Sequence, residues 1–575
     1  MTVHPVAPML IAAIALPVLP LFLRRLACIV APVLSLLIVA DLGDGEFLPV
    51  SFLEFDLVLL RSDSLSRIFG LVFALAATTA NIYGWHRSRV SEQMTALLYA
   101  GGGLAVVFAG DLLSLLFAWE VMAVASAVLV FGGGAAGSIA AGQRYLIVHL
   151  VAGSLLLIGV AGILAEGGGI VFDTLSGGGW PAWAILASLC INAAVPPVHA
   201  WLPDAYPRAS LAGSVFLSTF TTKAAVYCLV RGFAGEEVLI WAGAVMAVYG
   251  VVFATMEDDM RRLLSFHIVS QVGYMVCGIG VGSALALNGA VAHAVCHILY
   301  KALLFMAVGA VIYRTGRNRL SELGGLYAVM PRTLVLYMVG ALSISGAPLF
   351  NGFVSKPLVL TGAAEAHHLW PVFLLTLASI GTFLSVGLKL PWFAWGPPSG
   401  NAAPAASDAP PHMMIAMGIL AALCVGLGVW PQGLYDRLPL QPVGYHAYTA
   451  YHVFDVLLAM AFCGLAFSQS RRRLQPHGGW TIDVDALYRA PARWLESVAS
   501  GWLDRTASRM GSVIDGGRAG VVDWVRDPTA RRRSGDGAEK PHFDENRYRP
   551  ALARSLSWII AVFAFCAASL ALIAR

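Results

Sequence analysis

Charge is what this chain has least of: 12% of its 575 residues are Asp, Glu, Lys or Arg. A soluble protein carries about 25%, so a soluble globular fold is excluded. With 58% hydrophobic residues and a mean hydropathy of +0.74, the chain is a polytopic membrane protein. Cysteine is sparse as well. The eight cysteines, at positions 28, 190, 228, 277, 296, 424, 463 and 566, lie singly with no C-x-x-C pair. That pattern indicates neither an iron–sulfur cluster nor a disulfide framework. A P-loop, an H-E-x-x-H and a strand-linked G-x-G-x-x-G are also missing. No cofactor, nucleotide or metal is therefore expected, and no bond chemistry in this chain. A net charge of +4 gives no reason to expect nucleic acid.

What is present is a series of long apolar runs. About 20 apolar residues cross a hydrocarbon core, and on that measure the sequence predicts sixteen spans. They lie at 5–23, 26–40, 64–84, 93–110, 111–131, 142–165, 183–205, 208–232, 237–256, 261–281, 285–313, 333–360, 369–393, 411–430, 450–468 and 553–574. The expected fold is all-α. The N-terminal run leads straight into further spans and reads as a membrane helix, not a cleaved signal. Alternate loops hold Arg24, Arg25, Arg87, Arg89, Arg144, Arg208, Arg261, Arg262, Arg314, Arg317, Arg319 and Arg471 to Arg473. The opposite loops hold Asp41, Asp44, Glu46, Glu54, Asp56, Glu166 and Asp173. The positive-inside rule then places both termini outside the cytoplasm of a bacterial inner membrane.

The run HAVCHILYK, in the span 285–313, concentrates the chemistry. His293, His297 and Lys301 recur at i, i+4 and i+8, so they share one helical face. At about 1.5 Å rise per residue they extend over about 12 Å. Ionisable groups are costly in a bilayer and normally face a bundle interior or a wet cavity. Imidazoles titrate near neutrality, and burial favours a neutral amine, so such a ladder suits proton hopping. Hydrogen-bonded core histidines or a metal site are the plainer readings of the same residues.

Two spans are interrupted: SLCINAAVPPVHAWLPDAYPRAS by Pro196, Pro197 and Pro203, and SISGAPLFNGFVSKPLVL by Gly346, Pro348, Gly352 and Pro357. Broken membrane helices are tolerated where they line protein or water, and in transporters they mark the ion site. Their placement suggests two repeats of five spans, 93–232 and 261–393, inverted relative to each other because the number is odd. The remaining segments are then 1–92 at the N-terminus, a connecting helix in 233–260, and C-terminal helices in 394–470. Lys223, Lys356 and Lys389 fall in or after the interrupted spans, and Glu120 lies deep in LSLLFAWEVMAVASAVLVF. Glu120 is expected to pair with a lysine. His267, in RRLLSFHIVSQVGY, sits between the halves. Residues 471–552 are polar; Trp494, Leu495, Val498, Trp502 and Leu503 recur at helical spacing, which suggests an amphipathic interfacial helix or a docking surface. RRRSGDGAEK reads as flexible, and 553–574 as a final span.

With FAWEVM, PPVHAWLPDA, TTKAAVYCLVR, RRLLSFHIVSQVGYM, HAVCHILYKALLFMAVGAVI and GAPLFNGFVSKP in one order, the sequence resembles a known family over about residues 60–470. That family is the antiporter-like proton-translocating subunits of respiratory complex I, Mrp cation/proton antiporters and membrane-bound hydrogenases, and the D-type Mrp component looks most similar. The resemblance implies a buried proton axis of Glu120, Lys223, His267, His293, His297, Lys301, Lys356 and Lys389. It also implies other membrane subunits as partners in the lipid bilayer, with protons moved and sodium as a second candidate ion. One departure matters: Asn192 stands where the family usually has a lysine in the first broken helix. An amide holds water but carries no proton charge. Two rival readings are a non-conducting membrane scaffold and a subunit coupling protons to inorganic-carbon uptake.

Overall fold

The computed structural model describes residues 3–397, apart from 53, 88 and 135, together with residues 406–476. The amphipathic stretch after residue 482 and the span 553–574 lie outside the described residues. All fifteen earlier spans contain helix. Eleven helices among the described residues are long and apolar enough to cross a membrane, so the sequence-derived number of sixteen is not reproduced.

The chain opens with α1 (Ala7–Ala15) and α2 (Leu21–Asp41), then forms an unexpected antiparallel hairpin of β1 (Gly45–Phe52) and β2 (Phe55–Ser62). Helices α3 (Ser64–Tyr83), α4 (Val90–Phe108), α5 (Leu112–Phe131) and α6 (Ser138–Ala165) follow. The first interrupted span is α7 (Trp180–Asn192) and α8 (Trp201–Ala205). Next come α9 (Leu211–Thr219), α10 (Thr221–Gly232), α11 (Glu237–Met256), α12 (Met260–Val281) and α13 (Ala284–Thr315). The second interrupted span is α14 (Pro331–Ser345) and α15 (Asn351–Glu365). The chain then continues through α16 (Leu369–Thr382), a π-helical turn at Phe383–Lys389, α17 (Leu390–Trp395), α18 (Pro411–Val429), α19 (Gln432–Tyr435) and α20 (Ala450–Ser470).

Local chemistry accounts for these boundaries. α3 starts at a capping box in which Asp63 Oδ1 accepts from Ser66 N at 2.8 Å and Ser66 Oγ accepts from Asp63 N at 2.8 Å. Asp111 caps α5 by accepting from Ser114 N at 2.7 Å, and its Oδ2 accepts from Val58 N at 2.8 Å. One carboxylate thus ties the hairpin to the helix that carries Glu120. α14 ends at Gly346 with φ +76°, a left-handed cap that costs glycine little. The two breaks also place Ala194 and Leu349 at φ +60° and +74°, the strained geometry that collects at functional sites.

Counting helices moves one boundary. The range 261–393 holds four spans, and α11, read from sequence as a connector, is the fifth. α4 to α10 and α11 to α17 then each form five spans with the fourth interrupted. α11 belongs to the second set by packing too. Its Gly243, Ala247 and Gly250 lie against the backbone of Gly273, Cys277 and Ser270 in α12, the close approach that small residues allow between membrane helices. One further span differs from expectation. The run 208–232 is broken at Phe220, amid the hydroxyl side chains of Ser218, Thr219, Thr221 and Thr222.

The acid-rich end also carries arginines, three of them in ion pairs. Arg61 meets Asp173 at 2.9 Å, Arg231 meets Asp63 at 2.7 Å, and Arg67 meets Asp44. Asp63→Ala removes both the α3 cap and the partner of Arg231. The cap is worth about 1 kcal/mol, and the pair, one-third exposed at Asp63 and therefore screened, about as much again. The purified protein is expected to show a lower thermal midpoint in a melting scan, with its helical content at low temperature unchanged.

Candidate functional site

Helix α13 holds His293, His297 and Lys301 on one face, all at 0% exposure. His293 Nδ1 lies 3.2 Å from the Ser355 hydroxyl, next to Lys356 in α15. Its Nε2 lies 3.4 Å from the Tyr300 hydroxyl, which donates to Gln271 Oε1 at 3.5 Å. The His297 ring stands 6.2 Å from that of His293, and neither of its nitrogens has a hydrogen-bond partner among the described residues. Lys301 Nζ donates to the Leu264 carbonyl at 3.1 Å.

The other buried lysines are held by backbone carbonyls at helix ends. Lys223 Nζ donates to Ser218 O at 2.6 Å, at the end of α9. Lys356 Nζ donates to Ile344 O at 2.6 Å, at the end of α14, and lies 5.2 Å above the Tyr274 ring. Lys389 Nζ donates to Thr255 O at 2.6 Å and Glu257 O at 2.9 Å, where α11 ends. Last-turn carbonyls lack intrahelical donors and carry partial negative charge. Such a carbonyl accepts from an ammonium and from a neutral amine alike, whereas a carboxylate would hold the charged form. The anchoring therefore suits groups that change protonation state.

His267 Nε2 lies 2.5 Å from Ser385 Oγ, in the π-helical turn that also bears Lys389. Lys301, Lys356 and Lys389 are within electrostatic reach of His267, and Lys223, Lys301, Lys356 and His293 are within reach of His297. Seven of the eight residues singled out from sequence thus form one buried group. Glu120 is the exception. Half-buried on α5, it rests against α6, where a methyl group at Gly153 would overlap its Oε1. The expected glutamate–lysine pair is not formed among the described residues, because Lys223 turns back to the carbonyl at its own helix break.

Two residues that sequence reasoning missed, His149 and Tyr145, lie beside Asn192. Asn192 Oδ1 is 2.8 Å from Nδ1 of His149, in α6, while Asn192 Nδ2 donates to Ser188 O at 2.9 Å. His149 is 1% exposed. The Tyr145 ring is 4.1 Å from it, and the Tyr145 hydroxyl donates to Ser126 Oγ at 2.9 Å and lies 3.5 Å from Thr221 Oγ1. Tyr145, His149 and Gly153 recur at four-residue steps, the same-face spacing that had revealed the α13 ladder.

The family model described as "NADH:quinone oxidoreductase/Mrp antiporter, TM" matches residues 109–385, from the start of α5 into the π-helical turn. An uncharacterised protein of Methanocaldococcus jannaschii is 30% identical over 350 residues, covering 57% of this chain and 72% of that protein. A D-type component of a Na(+)/H(+) antiporter of Alkalihalophilus pseudofirmus is 30% identical over 299 residues; the match covers 48% of this chain and 60% of that component's length. Among solved structures, the membrane-bound sulfane sulfur reductase, an archaeal respiratory membrane complex, contains a similar chain. It aligns with a TM-score of 0.71 at 21% identity, over 98% of this chain and 99% of that one. That degree of identity speaks to fold alone. On the sequence match together with the family model, the chain belongs to the NADH:quinone oxidoreductase/Mrp antiporter family and is an antiporter-like membrane subunit.

Proposed function

We propose that this subunit moves protons within a larger membrane complex, through the group formed by Glu120, Lys223, His267, His293, His297, Lys301, Lys356 and Lys389. The observation that carries the proposal is the unpartnered His297 imidazole within electrostatic reach of Lys223 and Lys356, whose amines hang on backbone carbonyls. A proton arriving on one group disfavours charge on the next, so protons advance by displacement. The two five-span sets are inverted repeats, each with its own half-channel at its broken helix. The arginine-rich ends face the cytoplasm of a bacterial inner membrane.

Two driving forces fit, exchange for a cation such as sodium and a redox reaction in a neighbouring subunit. The antiporter relative supports the first, and the family's description, which names an NADH:quinone oxidoreductase, supports the second. The test is proton flux through the complex purified by way of this chain and sealed into liposomes with a pH dye. A sodium gradient or an electron donor is then applied. A pH change that a protonophore abolishes is expected under one of these drives. No pH change under either would overturn the reading.

A further inference from the structure

Asn192 replaces the lysine expected in the first broken helix, yet the space around it is not devoid of titratable groups. His149 reaches it from α6, with Nδ1 2.8 Å from Asn192 Oδ1. The orientation of the amide is set by its other end, since Nδ2 donates to the Ser188 carbonyl at 2.9 Å and a carbonyl only accepts. Asn192 Oδ1 must therefore accept, and His149 Nδ1 must carry the hydrogen. In the neutral ring the lone pair is then on Nε2, which is buried and has no hydrogen-bond partner among the described residues. The amide fixes one tautomer and leaves one basic site open.

The surroundings of that site supply both a source and a destination for a proton. Glu120 packs on Gly153, one turn further along α6. On the other side the Tyr145 hydroxyl approaches Thr221 Oγ1, two residues before Lys223. α7 contributes Asn192, and α8 contributes Trp201, with its ring 4.6 Å from that of His149. The charged groups joining α6 to α8, Arg144 and Asp204, pair with each other, Arg144 lying five residues before His149.

We propose that His149 is the proton-relaying group of the first repeat, standing in for the absent lysine, with Asn192 as its positioning residue. The step balances simply. The Glu120 carboxyl gives its proton to Nε2, leaving carboxylate and imidazolium, and Nε2 passes a proton on to the neutral Lys223 amine. The Nδ1 hydrogen stays on His149, donated to Asn192 Oδ1, throughout. This inference rests on the proton-path reading above.

The test uses the intact reconstituted complex and measures flux against pH for wild type, His149→Gln, Asn192→Asp and the control Lys356→Ala. His149→Gln is expected to assemble and to lose flux by about tenfold or more. In Asn192→Asp a carboxylate would face the Nδ1 hydrogen and favour the imidazolium, moving the acid limb of the profile to higher pH by about one unit. A purely structural asparagine would not move that limb. Undiminished flux in His149→Gln, with Lys356→Ala inactive, would overturn the role of His149 and leave the wider path standing. Undiminished flux in both would overturn the path itself. If His149→Gln does not assemble, the Asn192→Asp profile decides, and an unshifted acid limb rejects the relay.

Discussion

Lys356→Ala is expected to yield an assembled complex with proton flux reduced about 100-fold or more, the range for loss of a positioned proton-transfer group. Lys356 is 3% exposed, and its Nζ holds the Ile344 carbonyl at the end of α14 and approaches Ser379 Oγ at 3.4 Å. Removing it leaves one carbonyl without a donor, at a broken helix end already capped by Gly346. The structural cost of that is about 1–3 kcal/mol, tolerable in so large a helical bundle. The functional cost is larger, because His293 and Ser355 would then have no amine beside them to accept the proton. Complex yield on a native gel and dye-monitored flux separate the two effects.

Gly243→Leu is expected to act in the opposite manner, removing the folded protein and not the chemistry. A Cβ at Gly243 would overlap the backbone of Cys277 and Gly273, and Gly250 and Gly280 meet the facing helix just as closely. Overpacking typically costs about 1–3 kcal/mol when side chains can move aside. Here backbone opposes backbone, so α11 and α12 must part along their length. Separation would shift His267 away from Ser385, since α12 carries the histidine. Little or no assembled complex is expected by size-exclusion chromatography, whereas Gly418→Ala, at a glycine with open space around it, should assemble normally.

The contrast between these sites explains what was legible in the sequence. His293, His297 and Lys301 were visible because a four-residue period in an apolar run has one geometric meaning. The break at Gly346 was visible because glycine and proline mark it. Phe220 breaks its span with neither, and only hydroxyl side chains that serve equally well inside a membrane helix signal it. The hairpin was hidden by Pro49 within its first strand. The partner of Glu120 was misjudged because sequence gives the spacing of charges along the chain and not the direction of a long side chain. Lys223 reaches its own helix break, and Asn192, at the position where a lysine was expected, meets His149.

Proton movement through the buried imidazoles is most directly tested at His297. Both of its ring nitrogens lack hydrogen-bond partners among the described residues, so His297→Leu removes a titratable group without breaking a structural bond there. The measurement is dye-monitored proton flux in liposomes for wild type and His297→Leu complexes matched for assembly and thermal midpoint. Near-complete loss of flux at unchanged stability is the expected result. Flux equal to wild type would contradict a proton path through this helix.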